Sequence, residues 1–183
     1  MALSTFLVAA FLVVAFPFTS TAHVKSPKLD IFKFLGSDEI HWTVKTTSPV
    51  TKLCLVDVRK NISRTDYYFS RSYSPDKKQW STRRMHGQFL LKEQDKALVT
   101  VQDSPSTTYE KLVYVSEDQS CGVIYVIDFF SPKNSYYDLR VRNSSVSQAP
   151  KEGCNHYMLG LHVRLGTLYS NDCPEPPIST AQA

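Results

Sequence analysis

Cys121-Gly-Val-Ile-Tyr-Val-Ile-Asp-Phe-Phe130, Ser131-Pro-Lys-Asn-Ser135 and Tyr136-Tyr-Asp-Leu-Arg-Val-Arg142, continued by Asn143-Ser-Ser145 and closed by Cys154, form the stretch that decides the fold. Two runs rich in β-branched and aromatic residues flank a cluster of turn formers, and a cysteine stands at each end. That is how a disulfide-pinned antiparallel hairpin is written. Outward from it the same texture recurs at residues 40–45, 52–60, 65–73, 83–91, 97–102 and 110–116, which with 121–130 and 136–142 makes eight strand candidates. Turn-rich pieces such as Thr46-Thr-Ser-Pro49, Ser74-Pro-Asp-Lys-Lys78 and Asp103-Ser-Pro-Ser106 separate them. Connections this short let neighbours pair antiparallel, and the lack of helical crossovers argues against a parallel sheet. A β-sandwich and a closed up-and-down barrel both fit this all-β pattern. Eight strands are enough to close a barrel, and one of that size holds a single small ligand.

Short helices bracket the strands. Ser26 stands as a cap with Pro27 at the first helical position, Leu29, Phe32 and Leu35 recur at helical spacing, and Gly36 supplies the stop. Beyond Pro150, the pattern of Glu152, Cys154, Tyr157, Met158 and Leu161 suits a helix lying across the outside. Residues 174–183, with Pro174, Pro176 and Pro177, read as a disordered tail.

Residues 6–18 are almost wholly apolar, and Ser20-Thr21-Ala22 offers the small residues that a signal peptidase reads. Residues 1–22 therefore read as a secretory signal peptide, although the usual basic residue near Met1 is missing. The run is too short for a membrane span and no second one follows, so residues 23–173 are expected to form one secreted domain. Its four cysteines, Cys54, Cys121, Cys154 and Cys173, favour two disulfides, and three pairings are open. The sequons at Asn61 and Asn143 predict glycosylated, exposed positions.

Several function classes fall away. The net charge of +4 is spread out, with no Lys/Arg block longer than Lys77-Lys78 or Arg83-Arg84, which argues against nucleic acid as a partner. No Cys-x-x-Cys spacing suggests zinc or redox chemistry, and the five histidines are scattered. With no nucleophile-elbow, zinc-protease or phosphate-loop pattern either, the chain does not read as an enzyme and implies neither metal nor cofactor.

The ordered set of Trp42 after a short helix, Cys54 on the second strand, Ser120-Cys-Gly-Val123, Tyr137-Asp-Leu-Arg-Val-Arg-Asn-Ser-Ser145, Pro150, Cys154 and late Cys173 resembles the tick salivary lipocalins. That secreted family includes histamine-binding proteins and the lipid-binding moubatin-like and japanin-like proteins. The resemblance covers nearly the whole chain after the signal peptide and is strongest over residues 116–154. It implies an eight-stranded antiparallel lipocalin barrel with a short N-terminal helix and a C-terminal helix packed outside. It also implies pairing of Cys121 with Cys154 and of Cys54 with Cys173, each bridge contributing on the order of 3–4 kcal/mol.

Amine-binding members of that family place one acid beside the cysteine of one strand, and an acid followed by an aromatic on the next. A cation entering a low-dielectric cavity needs buried carboxylates and an aromatic face to offset its desolvation. Here the first acid is replaced by Gly122, the second is shortened to Asp138, and the aromatic becomes Arg140. In the family's phase Asp138 and Arg140 face inward with Gly122, Ile124 and Val126, and Gly122 makes room for a larger apolar body. In the competing phase Tyr137, Leu139 and Val141 face inward and both charges meet water. Inside, the two charges need each other or a ligand group. Trp42, Gly122, Ile124, Asp138 and Arg140 are therefore the candidate ligand-binding residues.

The sequence thus points to a secreted, monomeric carrier that sequesters a small apolar molecule (a sterol, eicosanoid or fatty acid) and dampens a host's immune or inflammatory response without turnover. The alternatives are a biogenic-amine scavenger, and an immunomodulator whose outer surface engages a host immune protein or cell.

Overall fold

Local chemistry sets the first element. In the computed structural model, which describes residues 28–147 and 152–178, Asp30 accepts the Lys33 N–H at 3.0 Å and opens helix α1 (Ile31–Leu35). The signal-peptide segment, Ser26, Pro27, Pro150 and residues 179–183 lie outside the described residues; residues 174–178 carry no regular structure.

Eight strands follow: β1 (His41–Thr46), β2 (Val56–Ile62), β3 (Asp66–Tyr73), β4 (Ser81–Phe89), β5 (Lys96–Val101), β6 (Thr107–Val115), β7 (Cys121–Asp128) and β8 (Tyr136–Arg142). From β2 to β8 each pairs antiparallel with the next, and β1 pairs with both β8 and β2, which closes the barrel. Closure at β1–β2 is narrow, with His41 opposite Asp57 and Trp42 opposite Val56. After β8 come the short helix α2 (Asn143–Val146) and helix α3 (Glu152–Gly160), which lies outside against β6, β7 and β8. A two-residue strand, β9 (Gly166–Thr167), then adds to the free end of β1.

Strand limits depart from the sequence reading for identifiable reasons. The second strand starts at Val56, after the expected Lys52, because Cys54 takes a left-handed backbone (φ 53°) and donates its N–H to the Leu168 carbonyl at 2.7 Å. The seventh strand stops at Asp128, short of Phe130, because the Asp128 carboxylate accepts the N–H groups of Phe130 and Ser131 and starts a turn. β9 is too short to leave any periodicity in the sequence.

Side-chain alternation divides the apolar residues into two layers. Inside lie Tyr67, Phe69, Met85, Phe89, Leu112 and Ile124, capped at one end by Ile31, Phe34 and Leu35 of α1. Outside, Val123, Leu139 and Val141 form a second core with Cys154 and Met158 of α3. Disulfides tie this outer layer to the barrel: Cys121–Cys154 fixes α3 to the start of β7, and Cys54–Cys173 brings the C-terminal segment back to the approach to β2.

Gly122 does leave room on the inner wall, and the protein itself fills it. A Cβ there would stand 2.9 Å from Cζ of Phe34 and 3.0 Å from Cδ1 of Leu112. The missing side chain thus seats the α1 plug. Gly122→Val is expected to lose about 1–3 kcal/mol in urea denaturation, the usual cost of overpacking a core. Gly122→Val should cost less in a Phe34→Ala background than in the wild type.

Candidate functional site: a cavity above a buried ion network

At the end opposite α1, the loops joining β1 to β2, β5 to β6 and β7 to β8 open onto one cavity of about 490 Å³. Leu55, Tyr136 and Leu168 give it apolar walls, while Arg71, Asp138 and Lys52 bring charge to it. A smaller recess of about 90 Å³ continues from it past Tyr73 and Val99, sharing Lys52, Leu55 and Arg71.

Below the cavity the barrel is crossed by charged side chains. Arg71 on β3 donates to both oxygens of Asp57 on β2 at 2.7 Å and to Glu110 on β6 at 3.0 Å. The other Glu110 oxygen accepts from Arg140 of β8 at 2.7 Å, and Arg140 lies 3.6 Å from Asp57. A fifth charge, Asp138, sits 3.9 Å from Arg140, with a hydrogen bond from Thr46. Arg140 and Glu110 are each only 1 % exposed, whereas the Arg71 side chain is 15 % exposed and reaches the cavity. Each member is poorly solvated, so the network holds only because donors and acceptors are matched across strands.

The titration behaviour follows from this packing. Burial pushes the Glu110 carboxyl up, but the guanidinium groups of Arg140 and Arg71 more than offset it and hold the group at about 2. Burial raises Asp138, and in that case Arg140 and the Thr46 hydroxyl only partly counter it. Its Oδ1 has no hydrogen-bond partner among the described residues, and neither do Nε and Nη2 of Arg140. His41, beneath the network with its ring 5.1 Å from that of Phe34, is driven by burial down to about 4, against the pull of Asp57. Burial lowers Lys52, helped by repulsion from Arg71 and Arg83.

The residues singled out from the sequence are therefore placed as follows. Asp138, Arg140, Gly122 and Ile124 all face the interior; Tyr137, Leu139 and Val141 face outward, so the competing phase does not occur. Only Asp138 of the candidates borders the cavity. Arg140 lies deeper, occupied by Glu110 and Asp57. Trp42 belongs to the outer layer, its indole N–H on Asn143 at 2.9 Å and its ring 5.0 Å from Tyr169. Asn61 and Asn143 are both exposed. Arg71, Glu110, Asp57 and Lys52 were missed. Their one signal was charge at inward-phase positions of strands, visible only once the barrel's phase is known.

No protein-family model matches the chain, and no curated protein matches it. Solved structures do match, and they share the fold. The serotonin complex of AM182 superposes with a TM-score of 0.65 at 18 % identity, covering 84 % of this chain and 98 % of that one. The tryptamine complex of the amine binding protein of Rhodnius prolixus gives 0.56 at 14 % identity, covering 86 % and 90 %. Japanin from Rhipicephalus appendiculatus bound to cholesterol gives 0.53 at 12 % identity, covering 75 % and 96 %. The chain has the lipocalin fold: a closed antiparallel eight-stranded barrel with a helix outside.

Two measurements test the network. Glu110→Gln should lose about 3–5 kcal/mol in urea denaturation, since it strands buried guanidinium charge. In the wild type, burial of neutral His41 makes the unfolded state bind more protons between its ordinary pKa and about 4. Stability should therefore fall as pH drops from about 6.5 to about 4. His41→Phe should remove that component, leaving the opposite trend from Asp138, whose raised pKa favours the fold as pH falls.

Proposed function

We propose that this chain is a lipocalin carrier that sequesters a small amphipathic molecule at the mouth of its barrel, with a protonated amine of the ligand against Asp138 and its apolar body against Leu55, Tyr136 and Leu168. One observation carries the reading. Asp138 is a buried carboxylate that borders the cavity with an oxygen lacking any partner among the described residues, and a buried acceptor left unmade is costly. A charged donor on the ligand satisfies it.

Arg140 stands where amine binders carry an aromatic, and a cation there would repel an ammonium group, but the network weakens that effect. Arg140 is engaged by Glu110 and Asp57 below the cavity, so its charge is largely compensated before a ligand meets it. Two of the three superposed structures are complexes with serotonin and with tryptamine, which lends the amine reading support by analogy of fold alone.

The apolar mediator expected from the sequence stands as the second reading, favoured by the Leu55, Tyr136 and Leu168 walls. A sterol hydroxyl would also donate to Asp138, whereas a fatty-acid carboxylate would not. On either reading the protein acts in the extracellular space by depletion, without turnover, on a mediator of a host's inflammatory or immune response. The two disulfides accord with that compartment.

Calorimetry of the purified protein against serotonin, tryptamine, cholesterol and arachidonate separates the readings. The amines are expected to bind, and Asp138→Asn to weaken them on the order of ten- to a hundredfold, the worth of one charge-assisted hydrogen bond. Uptake of cholesterol alone, unchanged by Asp138→Asn, would transfer the assignment to an apolar ligand.

A further inference from the structure

The rim of the cavity carries an unpartnered apolar tip. In the loop joining β7 to β8, Phe129 and Phe130 are 62 % and 70 % exposed, with rings 5.7 Å apart in an edge contact. Across the same opening Val50, in the loop joining β1 to β2, is 61 % exposed. The two loops lie side by side, since Thr47 and Tyr137 exchange hydrogen bonds at 2.9 and 2.8 Å. Side-chain capping by Asp128 and the turn at Pro132–Asn134 hold the phenylalanines at the tip of the loop. Water-exposed phenylalanine pairs are unfavourable in a monomer and mark an interaction site.

Charge indicates what covers this tip. At this end of the barrel Lys77 pairs with Asp172, and Arg84 with Asp103. Lys78, Arg83 and Lys133 enter no ion pair among the described residues, whereas Lys52 turns into the cavity over the Tyr73 ring. The acids left over in these loops, Asp76 and Asp128, are turned back onto the N–H groups of their own turns. The rim therefore presents an aromatic tip within a ring of free cations. That is the pattern of a surface that seats its apolar residues at the acyl boundary of a bilayer while lysines meet anionic head groups.

We infer that the open end of the barrel docks reversibly on an anionic lipid surface through Phe129, Phe130 and Val50, with Lys133, Lys78 and Arg83 against the head groups. Docking puts the cavity mouth at the membrane interface, where amphipathic molecules concentrate. The inference stands apart from the choice of ligand, because Phe129, Phe130 and Lys133 do not line the cavity that Asp138 borders.

Vesicle co-sedimentation of the intact protein tests it, with vesicles of phosphatidylcholine alone and of phosphatidylcholine mixed with phosphatidylserine. Binding should require phosphatidylserine and weaken as salt rises. The double variant Phe129→Ser/Phe130→Ser should lower partitioning on the order of tenfold or more while far-UV circular dichroism and serotonin calorimetry stay unchanged. Lys133→Glu should weaken it further in low salt than in high, and Leu159→Ser, at an exposed leucine on the outer helix, should leave it unaltered. Absence of vesicle binding, or binding indifferent to the phenylalanines, overturns the inference. So does self-association, or capture of a serum protein, that the double variant abolishes while vesicles stay unbound.

Discussion

The pairing of Arg71 and Arg140 with Asp57 and Glu110 is the constraint on which the rest of this barrel depends. It joins β2, β3, β6 and β8 across a lumen just wide enough for side chains to fill. Each ion would be costly there alone. Together they share six oxygens' worth of acceptor capacity with Asp138, and the shared Glu110 bridges both guanidinium groups. A network of this kind fixes strand register, since a one-residue slip of any member strand would turn its charge to the outer face of the barrel, for β6 and β8 beneath α3. It also divides the lumen into two halves with different tasks.

The lower half is structural. Phe34 of α1 enters the space left by Gly122, Tyr67 stacks on Phe69 at 4.5 Å, and the space is closed by protein alone. The upper half is left for a ligand, bounded below by Arg71 and Asp138 and at the sides by loop residues. Outside, the disulfides serve a complementary purpose. Cys121–Cys154 holds α3 over Val123, Leu139 and Val141, so the outer face of the sheet is covered where the strands are most apolar. The second bridge anchors the C-terminal segment, and Leu168 reaches the cavity from there.

Much of the fold was legible in the sequence because it is written in local chemistry. The eight runs of β-branched and aromatic residues, the turn clusters between them and the helix after Pro150 correspond to observed elements, within a few residues. The errors lie where a tertiary contact overrides pattern: Cys54, bent by its bridge and its bond to Leu168, shortened the second strand, and Asp128 ended the seventh. The site was legible only in part. Asp138 and Arg140 stood out as charges on an apolar strand, but nothing in the sequence brings Asp57, Arg71 and Glu110 to them, because they come from strands far apart in the chain. Gly122 was noticed for the right reason, missing bulk, yet its occupant is an N-terminal phenylalanine that only the closed barrel brings near.

The difference between reading Arg140 in the sequence and finding it in the barrel bears on how ligand class is set in such a protein. Taken alone, a cation on a cavity strand argues against a cationic ligand. Placed one layer below the cavity and bonded to Glu110, it ceases to be the charge a ligand meets and becomes part of the floor that holds Arg71 and Asp138 in place. What a ligand meets is the remainder: one carboxylate with an unused oxygen, a mostly covered guanidinium, a lysine of lowered pKa and apolar walls supplied by loops. Because the floor is rigid and the walls belong to loops, specificity in this barrel is written chiefly at its mouth, where substitutions leave the register of the strands untouched.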